Sequence, residues 1–175
     1  MVLLPSQLKS PIANVSEEAS QIFFSSVLNR RYYDDLEALM FFNPQQGKFR
    51  NAVSQLVDRY GNPKIVEEKG ILRLQIGSPS IAQTLFGFDR PVDGELIGAV
   101  VYIRECIDCL AIIHLAVKED YSISGCYGDR LLVLHLIQKV QEIGSRLKGV
   151  EFIEILYERS RKKKFPFVTL PVKNL

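Results

Sequence analysis

The strongest constraint on the fold lies between Leu110 and Tyr157. Leu110 to Val117 is apolar on both faces apart from His114 and shows no alternation, the pattern of a central strand covered on both sides. From Asp129 to Lys148 the period changes: Val133, Leu136, Ile137, Val140, Ile143 and Leu147 mark one face of a long helix. Gly149 lies just past its end, with Arg146 and Lys148 in the last turn. Glu151 to Tyr157 is a second strand. Strand, helix and strand in this order make a βαβ unit, whose right-handed crossover sets its two strands parallel.

Upstream, Glu95 to Glu105 reads as a strand joined to Leu110–Val117 through Cys106 to Cys109 alone, too short a connection for anything but an antiparallel hairpin. Two further strands precede it. Leu72, Leu74 and Ile76 alternate with Ile71, Arg73 and Gln75, and Gly77-Ser78-Pro79-Ser80 turns the chain into a strand over about Ile81 to Phe88. The first sixty residues carry helical signals. Asn14 and Glu17 have capping-box spacing ahead of Ile22, Phe23, Val27 and Leu28. Asp34 to Phe42 is a shorter helix whose early carboxylates suit the helix dipole. A third runs from its cap at Asn43 and Pro44 to Gly61 and Pro63, burying Phe49, Val53, Leu56, Val57 and Tyr60. The expectation is one α+β domain over 1–175 (α/β by a looser definition). Its helical part spans 1–62 and its sheet and long helix span 70–157, ahead of a basic tail or edge strand over 158–175.

Composition removes several function classes. The longest apolar runs are about ten residues, short of the ~20 that a spanning helix needs, and Pro5 interrupts any leader-like start. Three cysteines, Cys106, Cys109 and Cys126, cannot make a disulfide framework and fit a reducing compartment, so the cytoplasm is expected. The Cys106–Cys109 pair sits at a hairpin tip rather than at a helix N-terminus, where a redox thiol would gain acidity. A zinc cage from these cysteines with His114 and His135 is not favoured, because the residues fall on different faces and elements. No bound metal is expected.

The net charge of +2 from 22 basic and 20 acidic residues conceals a segregation. Glu158 to Leu175 holds six basic residues and one acidic, +5, which leaves −3 for the rest. The run Arg159-Ser160-Arg161-Lys162-Lys163-Lys164 is dense enough to hold phosphates or anionic lipid, or to protect a sheet edge with lysines. No aromatic residues interleave it, so nucleic acid is not a favoured partner.

The segment Asp93-Gly94-Glu95-Leu96-Ile97-Gly98-Ala99-Val100-Val101, then Ala111 to Glu119, then a glycine-bearing loop and long helix, resembles the GNAT acyltransferase superfamily over about residues 70–157. The resemblance implies acetyl-CoA or another acyl-CoA as cofactor. Its pyrophosphate would sit on backbone N–H groups at the start of the long helix, where glycines permit close approach. Val117, Ser122, Gly125, Tyr127, Gly128, Asp129 and Arg130 are the implied cofactor-binding residues. Aligned from Val117, Ser122 stands at the family's Gln/Arg position, Gly125 matches the middle glycine, Tyr127 replaces the last one, and Gly128 comes one place late. Gly125 and Gly128 have a plainer reading as residues that shape a strand-to-helix turn. Tyr157 is the implied general acid, or else a core or edge tyrosine. The family's base positions on the central strand fall at Ala111 and Ile113, while His114, of opposite parity, should face the other side of the sheet. Only 18 residues follow Tyr157, so one strand over about Phe165 to Val172 replaces several elements, or a second protomer completes the cleft as a homodimer. Two functions follow: an acyl-CoA-binding N-acyltransferase acting on a small-molecule or peptide amine, or a non-catalytic interaction or assembly module on the same fold.

Overall fold

The computed structural model describes residues 21–43, 57–76, 82–156 and the backbone of 163–166. Among the described residues nine strands form two sheets. The larger has the order β1-β5-β6-β7-β8-β9, with β1 at Phe23–Ser25, β5 at Gln83–Phe88, β6 at Leu96–Arg104, β7 at Cys109–Val117, β8 at Phe152–Ile155 and β9 at Lys163–Pro166. All its pairings are antiparallel except β7 with β8. The smaller sheet has the order β2-β4-β3, from β2 at Leu28–Asn29, β3 at Pro63–Glu68 and β4 at Ile71–Ile76. Helix α1 is Tyr33–Phe41 and helix α2 is Leu132–Ser145. The fold is α+β around a mixed sheet, with the expected hairpin and βαβ unit at its centre.

The two faces of the large sheet carry separate cores. On one, Leu132, Leu136 and Val140 of α2 are fully buried against Ile97, Val100, Leu110, Ile112 and Ile153. Each such side chain contributes about 1.5–3 kcal/mol relative to exposure. The helix comes close because Gly98 has no side chain: a Cβ there would stand 3.0 Å from Leu132 Cδ2. On the other face, Leu36, Leu39 and Met40 of α1 pack with Leu72 and Leu74 of the small sheet onto Ala99, Val101, Ala111 and Ile113. Strand β7 therefore sits between two apolar layers, as its apolar residues on both faces require.

Several expectations are corrected. The helix through Ile22, Phe23, Val27 and Leu28 is replaced by β1 and β2. Ile22 and Phe24 serve the core under α2, whereas Leu28 serves the core under α1, so their spacing reflects two sheets rather than one helix face. Ser25 makes the corner between them: its Oγ donates to Val27 O at 2.8 Å and accepts from Val27 N at 3.0 Å. Strand β4 belongs to the small sheet, not to the sheet of β5 to β8. Its partner β3 is an additional element that begins at Pro63. The two meet through the two-residue turn Lys69-Gly70, both at positive φ (53° and 79°). Helix α2 starts at Leu132 rather than Asp129, because a 3-10 turn at Gly128–Arg130 and a left-handed Leu131 (φ 50°) precede it. Of the helix expected to close at Gly61, residues 57–60 are described and helical, and the Gly61 N–H bonds to Val57 O at 2.8 Å. The Asn14–Glu17 cap, the Gly77–Ser80 turn, Tyr157 and most of the basic run lie outside the described residues.

Candidate functional site

Two irregularities in β7 create the site. Strand β8 pairs with β7 only from Cys109 to Ile112, and the bond from Leu156 N to Ile112 O (3.1 Å) ends that contact. From Ile113 to Val117, β7 continues beside β6 with no strand on its other edge among the described residues. The second irregularity is a slip in the β6–β7 register: Val101 pairs with His114 but Tyr102 with Ile112, so Ile113 is an extra residue in a bulge. Lys118 N donates to Ile97 O at 2.8 Å, so in an antiparallel ladder Ala116 also points its backbone groups at β6, and Leu115 and Val117 point theirs at the open edge. Val117 O is held there by Asn43 Nδ2 at 2.7 Å, from the end of α1. Replacing Asn43 with alanine is expected to cost about 1 kcal/mol, read as a melting temperature lower by about 2–4 °C.

The bulge corrects the expected placement of His114. After it the alternation is reset, and His114 joins Ala111 and Ile113 on the α1 face instead of the opposite one. Burial holds its imidazole well below the usual histidine range, down to about 4, so it is uncharged at neutral pH. Sequence periodicity carries no signal for this, because a bulge adds one residue without changing residue type.

Past Val117 the chain folds on itself. Glu119–Tyr121 is a 3-10 turn. Ser122 N donates to Glu119 O at 3.0 Å, Gly125 N to Ser122 O at 2.9 Å, Tyr127 N to Asp120 O at 2.7 Å and Gly128 N to Gly125 O at 3.0 Å. Arg130 N and Leu131 N bond back to Tyr127 O and Gly128 O. A Cβ on Gly125 would stand 2.3 Å from the carbonyl oxygens of both Glu119 and Asp120, and one on Gly128 would stand 2.6 Å from Ile123 O. Both glycines thus fit the loop's own tight turns. Leu132, Val133 and Leu134, at the start of α2, have no backbone or capping acceptor for their N–H groups among the described residues.

The residues read from the sequence as a cofactor site are therefore brought together, from Val117 at the end of β7 to Arg130 before α2. Ser122 is buried, with its Oγ 3.4 Å from Ser124 Oγ. Tyr127 packs its ring 5.0 Å from that of Tyr121, and the Arg130 guanidinium lies 4.6 Å from the Tyr127 ring centre. Asp129 is exposed.

Cys106 and Cys109 are chemically quiet. Burial, then the neighbouring Cys106, pushes the Cys109 thiol up to about 12, and Asp108 raises that of exposed Cys106. Neither is activated as a nucleophile. Among the described residues no three His, Cys, Asp or Glu side chains converge as metal ligands. No described helix is long and apolar enough to cross a membrane.

No family model and no curated protein matches the sequence. Among solved structures, the chain is similar to an IAA acetyltransferase from Bacillus cereus ATCC 14579, at 13% identity and a TM-score of 0.36, over 77% of this chain and 65% of that one. The match thus spans less than two thirds of that protein's length.

Proposed function

We propose that the protein binds an acyl-CoA along the open edge of β7 and passes the acyl group to an amine on the α1 face of the sheet. The observation that carries this reading is the run of β7 from Ile113 to Val117, which has no strand on its outer edge among the described residues. The pantetheine arm of such a cofactor has two amides, and Leu115 N–H and C=O with Val117 N–H are hydrogen-bonding partners at strand spacing for them. The N–H groups of Leu132, Val133 and Leu134 suit a phosphate, with the Arg130 guanidinium nearby. When bound, the cofactor supplies an activated thioester. His114, uncharged at neutral pH, offers a hydrogen bond on the α1 face rather than a store for the amine's proton. The amine must then arrive neutral, and as its nitrogen bonds the acyl carbon the C–S bond breaks, the proton it sheds leaving on the CoA thiol. A small-molecule or peptide amine is the proposed acceptor, a homodimer the proposed completion of the cleft, and the cytoplasm the proposed compartment.

A second reading has its own observation. The loop spends its N–H groups on its own carbonyls, and Asn43 already holds Val117 O. That favours an interaction module that keeps the sheet without the cofactor chemistry. Thermal denaturation separates the two, since a ligand of the folded state must raise its stability. Acetyl-CoA, CoA and pantetheine at about ten times a millimolar dissociation constant are expected to raise the melting temperature by about 3–5 °C. No shift with any of the three selects the interaction module.

A further inference from the structure

The corner that Ser25 makes between β1 and β2 leaves two strands longer than their partners. Strand β1 covers only residues 86–88 of β5, and β2 only Ile71 and Leu72 of β4. Past the corner, residues 73–76 of β4 and 83–85 of β5 each keep one edge with no strand on it among the described residues. Between these edges lies a groove of about 620 Å³, closed at the corner by Ser26 and Val27, with Leu74, Ala82 and Phe86 in its wall. Arg30 N donates to Gly70 O at 3.0 Å, so the alternation of an antiparallel ladder turns the N–H and C=O of Leu72, Leu74 and Ile76 toward the β2 side. Leu28 meets Leu72, whereas Leu74 and Ile76 lie past the end of β2. This edge is also unguarded. The far edge of the small sheet, β3, shows exposed Lys64, Glu67 and Glu68, charges that deter a further strand. Leu74-Gln75-Ile76 and Gln83-Thr84-Leu85 hold no charge and no proline.

We propose that this groove takes an extended peptide segment of a partner protein, added as a strand to β4, with apolar side chains at two alternate positions and a carboxylate between them. The open edge sets the mode, since main-chain groups at strand spacing are matched by another main chain. The pleat sets the pattern. In the register that continues β2, residues opposite Leu74 and Ile76 turn their side chains to the buried side, where Leu74 and Phe86 lie, and the residue opposite Gln75 turns outward. Arg73 stands on that outward face as its diagonal neighbour, within reach of a long side chain. The guanidinium's present partner is Glu68, 3.8 Å away, and both side chains are about two-thirds exposed. Such a pair is weak, so Arg73 gives up little in turning to a new carboxylate. Glu68, on β3, is one strand further from the added chain. The groove and the open edge of β7 are on opposite sides of β6, so this site stands or falls separately from the acyl-transfer reading.

The probe is the peptide Val-Glu-Val-Thr-amide, labelled with fluorescein and titrated with the full chain by fluorescence anisotropy. Lysine in place of its glutamate should weaken binding about fivefold, and N-methylation of its second valine, whose N–H would meet Leu74 C=O, about tenfold. Arg73→Glu changes an exposed side chain and should reverse the order, so that the lysine peptide binds more tightly than the glutamate one. In the native chain the glutamate peptide should slow amide exchange at Leu74 and Ile76 and shift the NMR signals of Thr84, a readout that needs no variant to fold. Absence of saturable binding, indifference to N-methylation, an unreversed order in folded Arg73→Glu, or protection at Leu115 and Val117 on the other open edge instead overturns the proposal.

Discussion

Replacing Gly125 with alanine is expected to lower the melting temperature of the ligand-free protein by about 6–12 °C, from a loss of about 3 kcal/mol. The added Cβ would meet the carbonyl oxygens of Glu119 and Asp120 at 2.3 Å, and neither oxygen can step aside cheaply. Glu119 O accepts from Ser122 N and Asp120 O accepts from Tyr127 N, so relieving the clash breaks the bonds that close the loop. The same loop buries Tyr121 and Ser122. Gly128→Ala should follow with a smaller loss, because its nearest contacts, Ile123 O at 2.6 Å and Ser122 O at 2.7 Å, are less compressed. A glycine kept only to let a ligand approach would tolerate alanine in the ligand-free state. An unchanged melting temperature in Gly125→Ala would therefore assign the glycine to a ligand and remove the account of the loop as self-satisfied.

What could be read from the residues follows from how the fold is built. Strand β7 and helix α2 are legible because each carries a pattern that admits one environment: apolar on both faces for the first, one stripe through Val133, Leu136, Ile137, Val140 and Ile143 for the second. Leu147 nonetheless proves exposed, and Leu132, outside that stripe, is fully buried. The hairpin between β6 and β7 is legible from loop length alone. Strand β3 is not, since Lys64, Glu67 and Glu68 face solvent on an edge and Pro63 reads as a break. The β1–β2 corner is concealed because Phe24 and Leu28 happen to stand four apart while serving different cores. At the site, the glycine spacing marks where the turn falls. It cannot say where the turn's N–H groups go, because that depends on carbonyls of Glu119, Asp120 and Ser122 that carry no sequence signature. The bulge at Ile113 is the largest loss: it moves His114 across the sheet, and nothing in Ile112-Ile113-His114 announces it.

That displacement carries the second large effect. His114 is held near 4 by burial against an ordinary value of 6.5. Between those two values the unfolded chain binds a proton at this position that the folded chain does not, so stability must fall as the pH is lowered through that window. Above about 6.5 both states are neutral and the contribution to pH dependence vanishes. Below about 4 both are protonated and the full cost has been incurred, about 2–3 kcal/mol once the half-buried setting is allowed for. The measurement is the urea midpoint at several pH values from neutral to about 4, for the native chain and for His114→Asn. Carboxylates titrate in both proteins and cancel in the difference, and His135, the other histidine, is exposed on α2 in both. The difference is expected to narrow steadily as the pH drops, because only the native chain keeps losing stability through this side chain. A constant difference across the window would place His114 in water. The imidazole would then be solvated rather than buried on the α1 face, where the bulge sets it.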